Sequence, residues 1–164
     1  MSTTLLPVQE YVRTSYRPDC EYIDGILLGR NVGEKDHSKL QARLIGLFLN
    51  RADLHVFPEQ RVQVSSTRFR VPDVCLVAGT EPDEQVFTTP PFACIEILSK
   101  DDRMGEMQDR LQDYVSMGVP NVWLLDPKTR MAYRADANGV HRVEGKLTTG
   151  RPDVFVDLTA LFAI

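Results

Sequence analysis

With 164 residues, 43% of them hydrophobic and 26% charged, the chain has the make-up of one globular domain over residues 1–164, large enough to bury a sizeable core. A net charge of −4 and a pI near 5.4 argue against a surface that grips nucleic acid over its whole extent, and leave room for a local basic patch or for clustered carboxylates whose missing positive charge a divalent cation supplies. No basic leader with an apolar core opens the sequence and no apolar run approaches the length of a bilayer, so a cytoplasmic protein without membrane contact is expected. Cys20, Cys75 and Cys94 are widely spaced, outside any C-x-x-C pair, and read as reduced thiols of the core.

Pro7 ahead of VQEYVRTSY predicts a short helix, since a proline in the first turn has no N–H bond to lose there. In CEYIDGILLGR, two apolar runs flank Asp24-Gly25, a pair that accepts the positive φ angles of a type I′ turn, so a hairpin is predicted. Residues 36–52, DHSKLQARLIGLFLNRA, place Leu40, Leu44, Leu47 and Phe48 at helical spacing, with Asp36 as the N-cap. Two strand-like stretches follow, HVFPEQRVQV and FRVPDVCLVAG, then a loop rich in proline and acid and the apolar run FACIEILS; these are the expected central strands.

A second helix over residues 103–117 carries Met107, Leu111, Tyr114 and Val115 on one face and ends at Gly118, with Pro120 beyond. NVWLLDPKTRMAYRADANGVHRV alternates short strands with turn residues and predicts an antiparallel meander. The closing VFVDLTALFAI reads as a strand and a short helix. The expected architecture is an α/β sandwich built on one sheet.

Two carboxylates interrupt the apolar strands: Asp73 in FRVPDVCLVAG and Glu96, 23 positions later, in FACIEILS. A buried, ionised carboxylate without a partner costs several kcal/mol, so a chain that buries two must supply donors, cationic side chains or a metal ion. One divalent cation between neighbouring strands meets the need of both. Taken singly, an aspartate after proline is more often a strand-end residue, and Glu96 could pair with an arginine. Arg110 lies three residues after Met107 and four before Tyr114, which either turns it inward or leaves it to pair with Glu106 in solvent.

V-P-D at 71–73, E-I-L-S at 96–99, a helix ending in Y-V-S-M-G-V-P and the strand N-V-W-L-L-D-P together resemble the Uma2 family (DUF820) of bacterial endonuclease-like proteins, within the restriction-endonuclease-like PD-(D/E)XK superfamily. The hairpin E-Y-I-D-G-I-L-L and a histidine opening the next helix also fit, so the resemblance covers nearly the whole chain; the order and spacing of short motifs carry it. It implies an α/β fold with a mixed central sheet flanked by helices, and hydrolysis of phosphodiester bonds in DNA with Mg²⁺ or Mn²⁺. It further implies Asp73 and Glu96 as metal ligands and Glu21 as an additional carboxylate at the metal. His37 matches the family's helix-opening histidine, although a structural histidine facing the core is the reading its own helix face favours.

The superfamily pattern places lysine two positions after the glutamate, where Leu98 stands; Uma2-like sequences carry a lysine on the following helix, at the position of Arg110. An arginine stays protonated, so Arg110 can stabilise charge on the reacting phosphate but cannot act as a base. A nuclease-fold binding or assembly module without turnover is therefore the alternative, and a hydrolase of small phosphate compounds a third. Of the lesser candidates, Glu59-Gln60 could aim a polar group at the site from a nearby strand. Asp101 and Asp102 read as capping and first-turn charges of the second helix, and Lys100 and Arg103 as loop cations able to touch phosphate. A homodimer is the default assembly.

Overall fold

The computed structural model describes residues 4–163. Helix α1 (Val8–Arg13) starts behind Pro7, its N-cap. Strands β1 (Cys20–Ile23) and β2 (Ile26–Gly29) pair antiparallel with Ile23 opposite Ile26. The two residues between them, Asp24 at φ +50° and Gly25 at φ +93°, make the predicted tight turn. Leu6 donates its N–H to the Gly25 carbonyl at 2.9 Å, and a Cβ on Gly25 would lie 2.8 Å from that of Leu5. Gly25→Ala is therefore expected to lower stability by roughly 1–2 kcal/mol in urea denaturation; an unchanged midpoint would show that the N-terminal segment does not bear on the turn.

Helix α2 (Lys35–Phe48) buries Leu40, Leu44 and Phe48. These three span a stripe about 80° wide, and Leu47, expected inward, falls just beyond it and is 52% exposed. The N-cap is Glu34, without a side-chain bond, and Asp36 lies in the first turn; the expected cap is thus corrected.

Each of the next two stretches divides where one strand was expected. HVFPEQRVQV becomes β3 (Leu54–Pro58) and β4 (Val62–Ser65), broken by Glu59 at φ +52°. FRVPDVCLVAG becomes β5 (Arg68–Arg70) and β6 (Val74–Ala78), broken at Pro72, which has no N–H to offer a ladder. The remaining elements are β7 (Ala93–Ile97), α3 (Met104–Met117), β8 (Asn121–Asp126), β9 (Met131–Asp136), β10 (Gly139–Val143), β11 (Lys146–Thr148), β12 (Phe155–Asp157) and α4 (Leu158–Leu161). Helix α3 ends as predicted at Gly118, in the left-handed region at φ +99°.

Because the chain changes sheets at both breaks, the single expected sheet is replaced, among the described residues, by three: β2-β1-β5-β4, β10-β9-β8-β7-β6-β3 and β11-β12. The six-stranded sheet is mixed, antiparallel except where β7 and β8, joined through α3, run parallel. Its two faces follow the period of two along each strand. Val74, Leu76, Ile95 and Trp123 pack with Leu40 and Leu44 of α2 and with α4, while Cys75, Cys94, Val122 and Leu124 pack with Met107, Leu111 and Tyr114 of α3. Cys75 and Cys94 are buried free thiols opposite one another in register, and Cys20 is half-buried. No helix among the described residues is long and apolar enough to cross a membrane.

Candidate active site

The break at Pro72 leaves Asp73 at the point where the chain enters the central sheet. Val74 pairs with Ile95 across the antiparallel ladder of β6 and β7, so Asp73 and Glu96 face each other at its end. Both are buried, at 4% and 2% exposure. Asp73 Oδ2 accepts the Ile97 backbone N–H at 2.7 Å. Glu96 shares its face of β7 with Cys94 and points toward α3, where the Tyr114 hydroxyl donates to Oε1 at 2.6 Å.

One turn before Tyr114, Arg110 places Nη1 3.7 Å from Glu96 Oε2 and Nε 3.2 Å from Glu21 Oε1. Of its two sequence readings, the inward one therefore holds. Glu21, 1% exposed, also receives Arg70 Nη1 at 2.8 Å and the Val71 N–H at 3.1 Å. Glu21 is thus tied to Glu96 through Arg110 and does not line the pocket that Asp73 and Glu96 share.

His37, in the first turn of α2, brings Nε2 within 3.3 Å of Asp73 Oδ2. One turn on, Gln41 donates to the Asp73 carbonyl at 2.9 Å. Beyond β2, Arg30 donates from Nη2 to Asp73 Oδ1 at 2.9 Å and sets Nη1 3.7 Å from Glu59. The pocket is small, about 20 Å³, and is lined by Arg30, His37, Asp73, Glu96, Ser99 and Arg110 among others. Ser99 Oγ is buried there without a hydrogen-bond partner. A larger cavity of about 480 Å³ lies elsewhere, between β9, β10 and α4, with Arg130, Arg142 and Phe162 in its wall and none of these carboxylates.

Burial pushes Glu96 up from the usual carboxylate range to about 8; Arg110 and the Tyr114 hydrogen bond oppose this, and the charges of Asp73 and Glu21 add to it. His37 is raised as well: burial disfavours the imidazolium, but the hydrogen bond and charge of Asp73 outweigh it. Beside the site runs a second charge network. Arg68 and Arg70, two apart on β5, meet Asp109 and Asp113, four apart on α3, at 2.6–2.9 Å.

Of the lesser candidates, Gln60 is turned away, donating to the carbonyls of Arg61 and Gln85. Asp102 lines the pocket, where it accepts the Ser99 N–H at 2.7 Å and Asn31 Nδ2 at 2.9 Å. The N-cap of α3 is Arg103, so Asp101 and Asp102 precede the helix and do not charge its first turn. Lys100 is exposed and pairs with Glu34 at 2.7 Å. Arg30, Tyr114 and Ser99 at the site, and Arg70 in the network beside it, are residues that the sequence reading missed. Tyr114 had a signal, one helical turn after Arg110, whereas Arg30 sits in a polar loop where any arginine reads as solvated.

Among the described residues, no group of three or more His, Cys, Asp or Glu side chains is placed to hold a metal ion. Asp73 and Glu96 nevertheless fit a hard divalent cation in kind: two carboxylates that face each other at the end of the β6–β7 ladder, beside the unpartnered Ser99 hydroxyl.

The family model described as "Putative restriction endonuclease", Uma2, matches residues 8–156. The chain belongs to the Uma2 family. That membership supports nuclease function in general terms. A solved structure described as a "putative nuclease belonging to DUF820", from Anabaena variabilis, aligns with a TM-score of 0.79 at 18% identity, over 94% of this chain and 96% of that one. The likeness confirms the expected nuclease-like mixed α/β fold for this Uma2 protein. Nucleoredoxin of Xenopus laevis is 26% identical over 158 residues, which is 90% of this chain and 37% of that protein. The Uma2 chain spans little more than a third of that relative.

Proposed function

We propose that this Uma2 protein is a Mg²⁺- or Mn²⁺-dependent endonuclease that hydrolyses phosphodiester bonds in DNA, with Asp73 and Glu96 as the metal ligands. The observation that carries the reading is the pair of buried carboxylates that face each other in one polar pocket, one of them raised to about 8 chiefly by its burial. When bound, the cation would polarise a phosphoryl oxygen and lower the pKa of a coordinated water. Ile97 N–H, His37 and Gln41 hold Asp73 in place. Arg110, protonated at any working pH, faces the same pocket and suits the charge that builds on phosphate oxygens. Glu21, expected as a third ligand, serves here by orienting Arg110.

Calorimetric titration of Mn²⁺ into the native protein and into Asp73→Asn, with plasmid nicking on the same samples, tests this. The native protein should bind and nick; the variant should lose binding and about 10²–10³-fold in nicking. Metal-dependent cleavage retained by Asp73→Asn would overturn the assignment. Binding without cleavage by the native protein would favour the non-catalytic module, the reading suggested by Leu98 and Arg110 where the nuclease pattern has lysine.

A further inference from the structure

Arg30 stands where a cation would stand. Its side chain is 16% exposed and its Nη2 lies 2.9 Å from Asp73 Oδ1. Oδ2 faces the Ile97 N–H and His37, so both oxygens of Asp73 are engaged by groups of this chain. The pocket beside them, about 20 Å³, has room for roughly one water. Mg²⁺ takes six oxygens and keeps several of its waters. A divalent cation therefore reaches Asp73 only after the guanidinium leaves.

The structure also holds a place for it to go. Arg30 Nη1 already lies 3.7 Å from Oε1 of Glu59, whose side chain is half exposed. Glu59 is fixed beside the site, its backbone N–H donating to the Asp73 carbonyl at 3.3 Å. The guanidinium is thus shared between an inner and an outer acid. On Asp73 it neutralises a carboxylate that would otherwise be buried unpaired, but it makes no ion pair with Glu96, whose cationic neighbour is Arg110. A divalent ion would serve both carboxylates, which favours the exchange.

We propose that Arg30 is the resident counter-ion of Asp73, displaced by the incoming divalent cation and received by Glu59, so that these two residues set the metal affinity of the site. The proposal rests on the reading of Asp73 and Glu96 as a metal-binding pair. Its test is titration with MnCl₂ of the native protein, Arg30→Gln, Glu59→Gln and the double variant, each checked for folding by circular dichroism. Arg30→Gln is expected to bind at least about tenfold tighter than the native protein, because no side chain must be displaced.

Glu59→Gln, at an exposed position that does not threaten the fold, is expected to bind about threefold weaker, and to have no effect once Arg30 is glutamine. That non-additivity separates a hand-over of Arg30 from the simple field of a nearby charge, which would persist in both backgrounds. Equal or weaker binding by Arg30→Gln, or an equal effect of Glu59→Gln in both backgrounds, overturns the role of Arg30 and leaves the metal pair standing. No binding by any of the four proteins overturns the carboxylate-pair reading and this one with it.

Discussion

Arg70→Ala is expected to cost about 3–5 kcal/mol of stability, the largest effect of any single substitution near the site. Arg70 is 2% exposed and sits between three acids: Glu21 at 2.8 Å, Asp113 at 2.6 Å and Asp109 at 2.7 Å. Removing it strips a buried glutamate of its shortest charged contact and leaves a guanidinium-sized void beneath the three-residue strand β5. Glu21 would keep only the Val71 N–H and the longer contact to Arg110. Arg68, on the same face of β5, makes a sharp comparison. It meets the same two aspartates and Asp24, yet its side chain is 20% exposed, so water can replace it, and Arg68→Ala is expected to cost about 1 kcal/mol or less. Urea denaturation of both variants measures the difference. A loss under about 1 kcal/mol for Arg70→Ala would mean that Glu21 is satisfied by Arg110 alone.

The parts of this molecule that were legible in the sequence are those whose cause is local. Asp24-Gly25 needs only two positive φ angles, and Gly118 only one. Met107 and Tyr114 put Arg110 on or next to the inward face of its helix, but the choice between the site and Glu106 in solvent is made only by the fold. The Asp73–Glu96 pair was visible because a carboxylate in an apolar strand has few ways to be stable, so burial itself is the signal. What was not legible depends on partners. FRVPDVCLVAG looks like one strand because both halves are apolar, and nothing in it says that β5 pairs with β1 and β4 while β6 pairs with β3 and β7. The break after β3 rests on Glu59 at φ +52°, a conformation without a sequence signature for glutamate. Arg30 joined the site only by folding, which brings it to an aspartate 43 residues away.

Glu96→Gln is expected to make the protein more stable at pH 8 and no different near pH 4. The folded-state pKa of Glu96 is raised to about 8 against an ordinary value of 4.5, so between those limits the folded chain holds a proton that the unfolded chain releases. Native stability therefore falls as pH rises through that window. Glutamine keeps an oxygen to accept from the Tyr114 hydroxyl at 2.6 Å and has no proton to lose, so the variant escapes the fall. The gain at pH 8 should be about 2–4 kcal/mol, since each pKa unit is worth about 1.4 kcal/mol. His37 titrates in both proteins and largely cancels from the difference. Denaturation midpoints of the two proteins at pH 4.5, 6 and 8 provide the measurement; a difference that stays flat across this range would mean that the surrounding arginines already suffice to ionise Glu96. With saturating Mn²⁺ the order should reverse, because a ligand that binds only the folded native protein stabilises it while the glutamine variant lacks one of the two carboxylates. Those two outcomes together would assign Glu96 to binding the cation and not to holding the sheet together.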